Sequence, residues 1–352
     1  MILTIVVGIV VLSVLIIVHE LGHFIAAKAT RCRVEEFGIG FPPRLYGKKW
    51  GETIYSVNWI PFGGFNKISG EVDPSEPGAL AARGYGVRLL VISGGIILNL
   101  LLPLVLLSAA YMVPHDIAVG MVVVDDVEAG SPAALAGIRA GDTLLEIEGR
   151  KINSKGDYSR YLMLNMGGRV DILLQRSDDT IEEVSVAVPW RPTEQGRTIG
   201  TLSSNVDLSI ESESLPFWEA IPVGARACYE TLVLYKNGII GMIIGTIPFV
   251  PAGPVGIVQV AGEVAHIGIS PVLELTAFIS IAIAITQMIP FPALDGGRIL
   301  FIVIEWIRRG KRVSARIEGI MHTVGFLILL ALMVLITYQD LARWISGESL
   351  LG

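Results

Sequence analysis

The sequence predicts a polytopic α-helical membrane protein of about four transmembrane helices, with a small α+β domain inserted on its outer side. Three observations carry that prediction. The 352 residues are 52% hydrophobic and only 17% charged, where an ordinary soluble domain is about 25% charged, and the mean hydropathy is +0.62. Four runs are apolar and long enough to cross a hydrocarbon core about 30 Å thick. Between the second and third of them, residues 114–236 turn acidic and show strand-like alternation. The net charge of −6 and the lack of a basic stripe with interleaved aromatics argue against a nucleic-acid partner. Cys32 and Cys228 form neither a metal-type pair nor a disulfide framework.

The first span, about residues 2–27, lacks the basic start of a signal peptide and runs into "HELGH" instead of a cleavage site, so an uncleaved helix is expected. The second runs from Val87 to Val113, the third lies within about 274–293, and the fourth runs from Gly319 to Tyr338. "GIIGMIIGTIPFVPAG", Gly238 to Gly253, is apolar but broken by Gly and Pro, and reads as interfacial or re-entrant. Lys28, Arg31, Arg33, Arg44, Lys48, Lys49, Lys67, Arg83 and Arg88 crowd the first connection; Arg298, Arg308, Arg309, Lys311, Arg312 and Arg316 follow the third span. Cations favour the cytoplasmic side, which puts these connections inside and the acidic segment and both chain ends outside. The expected division is a membrane half over 1–113, a domain over 119–190, a linker with an amphipathic portion over 191–253, and a second membrane half over 254–352.

Within the acidic segment, "GMVVVDDVEAGSPAALAGIRAGDTLLEIEGRKI", Gly120 to Ile152, combines β-branched runs, a helix start at "SPAALAG" and a Gly-Asp turn before a further strand. "RVDILLQR" and "EEVSVAVP" continue as alternating strands. Together they resemble a PDZ domain, a family that binds peptides or C-termini by adding a strand to an exposed edge. A β-rich spacer without a ligand remains the alternative.

The chemistry concentrates where the first span ends. His19 and His23 are four residues apart, one helical turn, so their imidazoles can reach one metal ion from the same face. Glu20 adjoins the first of them and can act as general base on a water at that metal. Ionisable groups in a span are costly and are functional candidates by default. A catalytic zinc takes three protein ligands and leaves one position open. The best third candidate is Asp295 in "QMIPFPALDGGRIL", where Pro290 and Pro292 break the helical ladder and Gly296 and Gly297 permit close approach near the metal.

These motifs resemble the site-2 protease family of intramembrane zinc metalloproteases, nearest to the bacterial PDZ-containing members that release membrane-held transcription regulators. The likeness covers nearly the whole chain and includes "FGIGFPPRLYG", "PFGGFNKISGE", "GPVGI" (Gly253 to Ile257) and the tail "EGIMHTVGFLILLALMVLITYQDLAR". It implies Zn2+ held by His19, His23 and Asp295, and Glu20 as the residue that activates water. It also implies a membrane-associated β-hairpin around Gly63, Gly64, Phe65 and Asn66 whose edge holds an unwound substrate, with Asn99, Gln287, Pro290 and Pro292 near that substrate. Two positions depart from the family pattern: Gln287 replaces the usual Asn, and Ile96 a usual Pro. Both bear on substrate preference and rate more than on reaction type.

The expected function is zinc-dependent cleavage of single-span membrane proteins in a bacterial cytoplasmic (inner) membrane, with the active site toward the cytoplasm. The domain outside selects pre-trimmed substrates of the anti-sigma-factor or signal-peptide kind. His115, His266 and His322 read as structural or interfacial. A catalytically silent PDZ-bearing scaffold and a metal transporter remain alternatives, separable from a protease by a Glu20-dependent peptide cut.

Overall fold

The computed structural model describes residues 2–71, 74–248 and 250–346. In chain order its elements are α1 (Ile2–Ala29), β1 (Val34–Trp50), β2 (Thr53–Ile68), α2 (Tyr85–Met112), β3 (His115–Val127), α3 (Pro132–Leu135), β4 (Thr143–Ile147) and β5 (Arg150–Lys151). There follow α4 (Lys155–Leu164), β6 (Arg169–Gln175), β7 (Ile181–Ala187), β8 (Thr201–Glu213), α5 (Phe217–Ile243), α6 (Pro254–Ala265), α7 (Ile269–Met288), α8 (Asp295–Ile307) and α9 (Ala315–Ser346). The chain divides into two compact units, one made of Met1–Ala110 with Pro251–Gly352 and the other of Tyr111–Val250.

In the first unit, α1, α2, α7 and α9 are the helices long and apolar enough to cross a membrane among the described residues. Helices associate in lipid through close packing at small residues, and α1 shows this twice. A Cβ on Gly8 would lie 2.7 Å from Val258 of α6, and one on Gly22 would lie 2.2 Å from the carbonyl oxygen of Gly94 in α2. Val11 and Leu15 of α1 pack with Ala261 of α6 and Ile279 of α7, while Ala26 and Ala27 pack with Val91 and Ile92 of α2 and Ile302 of α8. The third span was expected over 274–293, but α7 stops at Met288 because Pro290 forces Ile289 into extended backbone, φ −63° and ψ 132°.

β1 and β2 form the hairpin that the family resemblance implied. Residues 44–50 pair back onto 53–58, and 34–39 pair antiparallel with 64–68 while also bordering 54–57, so that Glu36 faces both Lys67 and Ile54. Among the described residues no strand pairs with the outer edge of 64–68. Burial pushes the Glu36 carboxyl up, but the Ser56 hydroxyl at 2.6 Å and the Arg44 guanidinium outweigh it and hold the group below the usual carboxylate range.

The second unit is a sheet in the order β7-β6-β4-β3-β8, with β5 beside β4. The inward residues Val122, Leu144, Ile147, Val170, Ile172 and Leu174 make its core together with Tyr158 and Leu162 of α4. Ser131 caps α3, its hydroxyl oxygen accepting the Ala134 N–H at 3.2 Å, as "SPAALAG" predicts. The expected boundary at 190 falls short. Residues 201–213, read as linker, form β8, which pairs with β3 along nearly its whole length. Its polar run 203–205 and exposed face hid the strand pattern. The apolar stretch from Gly238 is likewise not separate, because Gly238 to Ile243 complete α5. Asn237 on α5 donates to the carbonyls of Met163 and Leu164 at 2.7 and 3.2 Å, closing the C-terminal end of α4.

Candidate metal centre

His19 and His23 lie one turn apart on α1, with rings edge to face, centroids 4.8 Å apart and planes at 88°. Their Nε2 atoms are 3.2 Å from each other, and each is 3.2 Å from Oδ2 of Asp295. His19 and Asp295 are buried, at 7% and 9% exposure. Oδ2 of Asp295 has no hydrogen-bond partner, so three potential ligand atoms converge around an unsatisfied carboxylate oxygen. A tetrahedral zinc with donors at about 2.0–2.1 Å spaces neighbouring donor atoms by about 3.3 Å. The residues fit that ion.

Asp295 reaches the site through an unwound connection. After Ile289 the chain runs through Pro290 and Pro292, takes the left-handed region at Ala293 (φ +78°), and starts α8 at Asp295. The glycines after Asp295 serve this connection more than the metal. A Cβ on Gly296 would lie 2.3 Å from the Ile289 oxygen, and one on Gly297 2.3 Å from the Phe291 oxygen. Gly325 of α9 closes the other side, since a Cβ there would lie 2.4 Å from the Pro292 oxygen. The Ala293 N–H donates to Nδ1 of His322 at 2.9 Å, and the Asp295 N–H to Oε1 of Gln287 at 3.3 Å.

Helix α2 forms the opposite wall. His23 Nδ1 lies 2.9 Å from the Val91 carbonyl, and His19 Nδ1 lies 3.4 Å from the Asn99 amide. Gly95 leaves room for the rings, because a Cβ there would lie 2.6 Å from both His19 Cε1 and His23 Nε2.

A cavity of about 380 Å³ opens at this point, lined among others by Glu20, Phe65, Asn66, Gln287, Asp295 and Arg298. Of the residues expected near a substrate, Phe65, Asn66 and Gln287 line it. Both polar atoms of the Asn66 side chain are buried without a partner. Gly63 and Gly64 pack the hairpin onto α1, with Ile16 and Ile17 among the nearest neighbours of an added Cβ. Asn99 is fully buried against His19. Pro290 and Pro292 shape the connection. Sequence reasoning passed over Gly95, although a Gly-Gly pair inside an apolar span was a visible signal. It also passed over the Arg298–Glu71 ion pair at 2.8 Å on the cavity wall.

The profile of the family described as Peptidase family M50 matches residues 7–332. A Clostridium perfringens protein named "Putative zinc metalloprotease CPE1693" is 36% identical over 346 residues, covering 94% of this chain and 96% of its own. A protein of Oceanobacillus iheyensis named zinc metalloprotease RasP is 25% identical over 427 residues, covering 97% of this chain and 99% of its own. One of the same name from Geobacillus kaustophilus is 27% identical over 419 residues, covering 96% and 97%.

Proposed function

The chain belongs to peptidase family M50, the site-2 proteases, and is an intramembrane zinc metalloprotease; on that premise we propose that His19, His23 and Asp295 hold the zinc, that Glu20 is the general base, and that the substrate is a membrane-spanning segment. The observation that carries this reading is the 3.2 Å convergence of both Nε2 atoms on Asp295 Oδ2 beside a cavity lined by Glu20. Zinc, when bound, supplies a Lewis acid for the scissile carbonyl and lowers the pKa of water at the site. Glu20 accepts the proton of the attacking water and returns it to the departing amine nitrogen.

A helical segment hides its carbonyls in its own hydrogen bonds, so it must be unwound before attack. The outer edge of residues 64–68 provides replacement main-chain partners. The unpartnered Asn66 amide faces the same cavity and offers both a donor and an acceptor to an extended chain. Gln287, with its oxygen engaged at the Asp295 N–H, keeps its –NH2 for the substrate side.

The Tyr111–Val250 unit acts as a PDZ domain, and β8, at the end of the strand order, is the edge that takes a peptide or new C-terminus. The cationic connections favour an orientation with the catalytic end of α1 toward the cytoplasm of a bacterial inner membrane and this unit outside. Substrates are then single-span proteins already trimmed by another protease, of the anti-sigma-factor or signal-peptide kind.

The test is zinc per chain and cleavage of a single-span reporter in detergent-purified protein. Wild type should hold about one zinc, a His19→Ala/His23→Ala variant none, and Glu20→Gln should keep zinc while losing about 10²–10⁴-fold in rate. Cleavage by Glu20→Gln at the wild-type rate removes Glu20 from the mechanism. A folded wild type that takes up no supplied zinc removes the metal assignment.

A further inference from the structure

The two imidazoles are held from behind by the same helix, but only one of the two contacts is chemically settled. Val91 O can only accept, so His23 Nδ1 carries the hydrogen and Nε2 presents its lone pair toward Asp295. At His19 the neighbour is the –NH2 of Asn99, 3.4 Å from Nδ1, while the amide oxygen, Oδ1, is buried without a partner. An –NH2 there requires Nδ1 to accept, which moves the ring hydrogen to Nε2. Yet Nε2 is the atom aimed at Asp295 Oδ2 and at His23 Nε2. A donor on that nitrogen is incompatible with its use as a ligand.

We infer that Asn99 is a positioning residue whose amide oxygen, not its nitrogen, meets His19. A half-turn of the amide makes Oδ1 accept the Nδ1–H of His19 and fixes Nε2 as the lone-pair atom, with the –NH2 moving into the space the oxygen held. The surroundings suit this task. Asn99 is fully buried, and its backbone carbonyl accepts the Ser280 hydroxyl of α7 at 2.8 Å. Gly95, one turn earlier on α2, clears the space into which both rings fit. Helix α2 therefore sets the tautomer of both histidines, through Val91 O for one and Asn99 Oδ1 for the other. This inference rests on the zinc assignment made above.

The experiment is zinc affinity by chelator competition on the full chain in detergent, for wild type, Asn99→Asp and Asn99→Leu. Asp is nearly isosteric with Asn and, as a carboxylate, can only accept; Leu has similar bulk and can do neither. Asn99→Asp should bind zinc at least as tightly as wild type, and Asn99→Leu about 10–100-fold more weakly. A folded Asn99→Asp that loses tenfold or more in zinc affinity overturns the inference, as does an Asn99→Leu that binds like wild type. If Asn99→Leu does not fold, the Asp variant decides alone. Wild type that binds no zinc instead removes the underlying metal assignment, which separates the two failures.

Discussion

The backbone N–H of Ala293 donates to Nδ1 of His322 across 2.9 Å, so a side chain of α9 holds the unwound connection two residues before Asp295. Ala293 sits at φ +78°, where a non-glycine residue is strained, and that hydrogen bond is what the conformation has in return. Replacing His322 by Phe keeps the ring contact with Phe301 but leaves a half-buried N–H without its partner, at a cost of about 1 kcal/mol. His322→Phe should weaken zinc binding several-fold, and His322→Asn, which offers an acceptor, should recover part of it. Equal zinc affinity in Phe and wild type would show that α9 does not set the position of Asp295.

The close crossing of α1 and α2 gives a second prediction. A methyl at Gly22 meets the backbone oxygen of Gly94 at 2.2 Å, and backbone cannot swing aside as a side chain can. Gly22→Ala should lower stability by about 1–3 kcal/mol through overpacking, seen as a lower melting temperature in detergent. Gly86→Ala is the control. A Cβ there meets nothing within 4 Å, and the exchange, in the first turn of α2, should be close to neutral.

Asp340 is the third test. It is buried, and one carboxylate oxygen accepts the N–H groups of Gly253 and Gly256, at 2.9 and 2.8 Å, where α6 begins. Charge-assisted bonds at a helix N-terminus also meet the favourable end of its dipole. Asp340→Ala should cost about 1–3 kcal/mol, more than Asp340→Asn, which keeps an acceptor. Indistinguishable melting curves for the two variants would argue against the cap.

In the Tyr111–Val250 unit, burial pushes the Tyr158 phenol up to about 12, with a partial offset from its hydrogen bond to Thr201 at 2.6 Å. A folded pKa above the unfolded value of about 10 favours the neutral phenol in the fold. Its contribution is therefore complete below pH ~10 and is lost as pH rises from ~10 toward 12. Wild type should lose more stability than Tyr158→Phe between pH 9 and 11 in denaturant titrations. Parallel losses would exclude Tyr158 as the source.

What could be read from the sequence was whatever local spacing encodes. The i, i+4 histidines, the apolar runs, the prolines ahead of Asp295 and the capping Ser131 all express their geometry within a few residues. What could not be read depends on which surfaces meet. Asn99 is an ordinary polar residue in a span until α2 lies on His19, and His322 has no local sign of its tie to Ala293. β8 escaped because its exposed, Ser-rich edge shows weak alternation. Gly296 and Gly297 were expected to admit the metal; they admit instead the backbone of the connection that delivers Asp295.

The convergence of His19 and His23 with Asp295 also sets an order of assembly during synthesis. The histidines leave the ribosome first, and the aspartate follows about 270 residues later, on the order of tens of seconds at common elongation rates. Through that interval a nascent chain carries a base and two imidazoles without the carboxylate that completes the trio. The trio is thus complete only when the last third of the chain has been made and folded back on the first helix. A product that ends before Asp295 keeps the signature motif but lacks the third member of the trio.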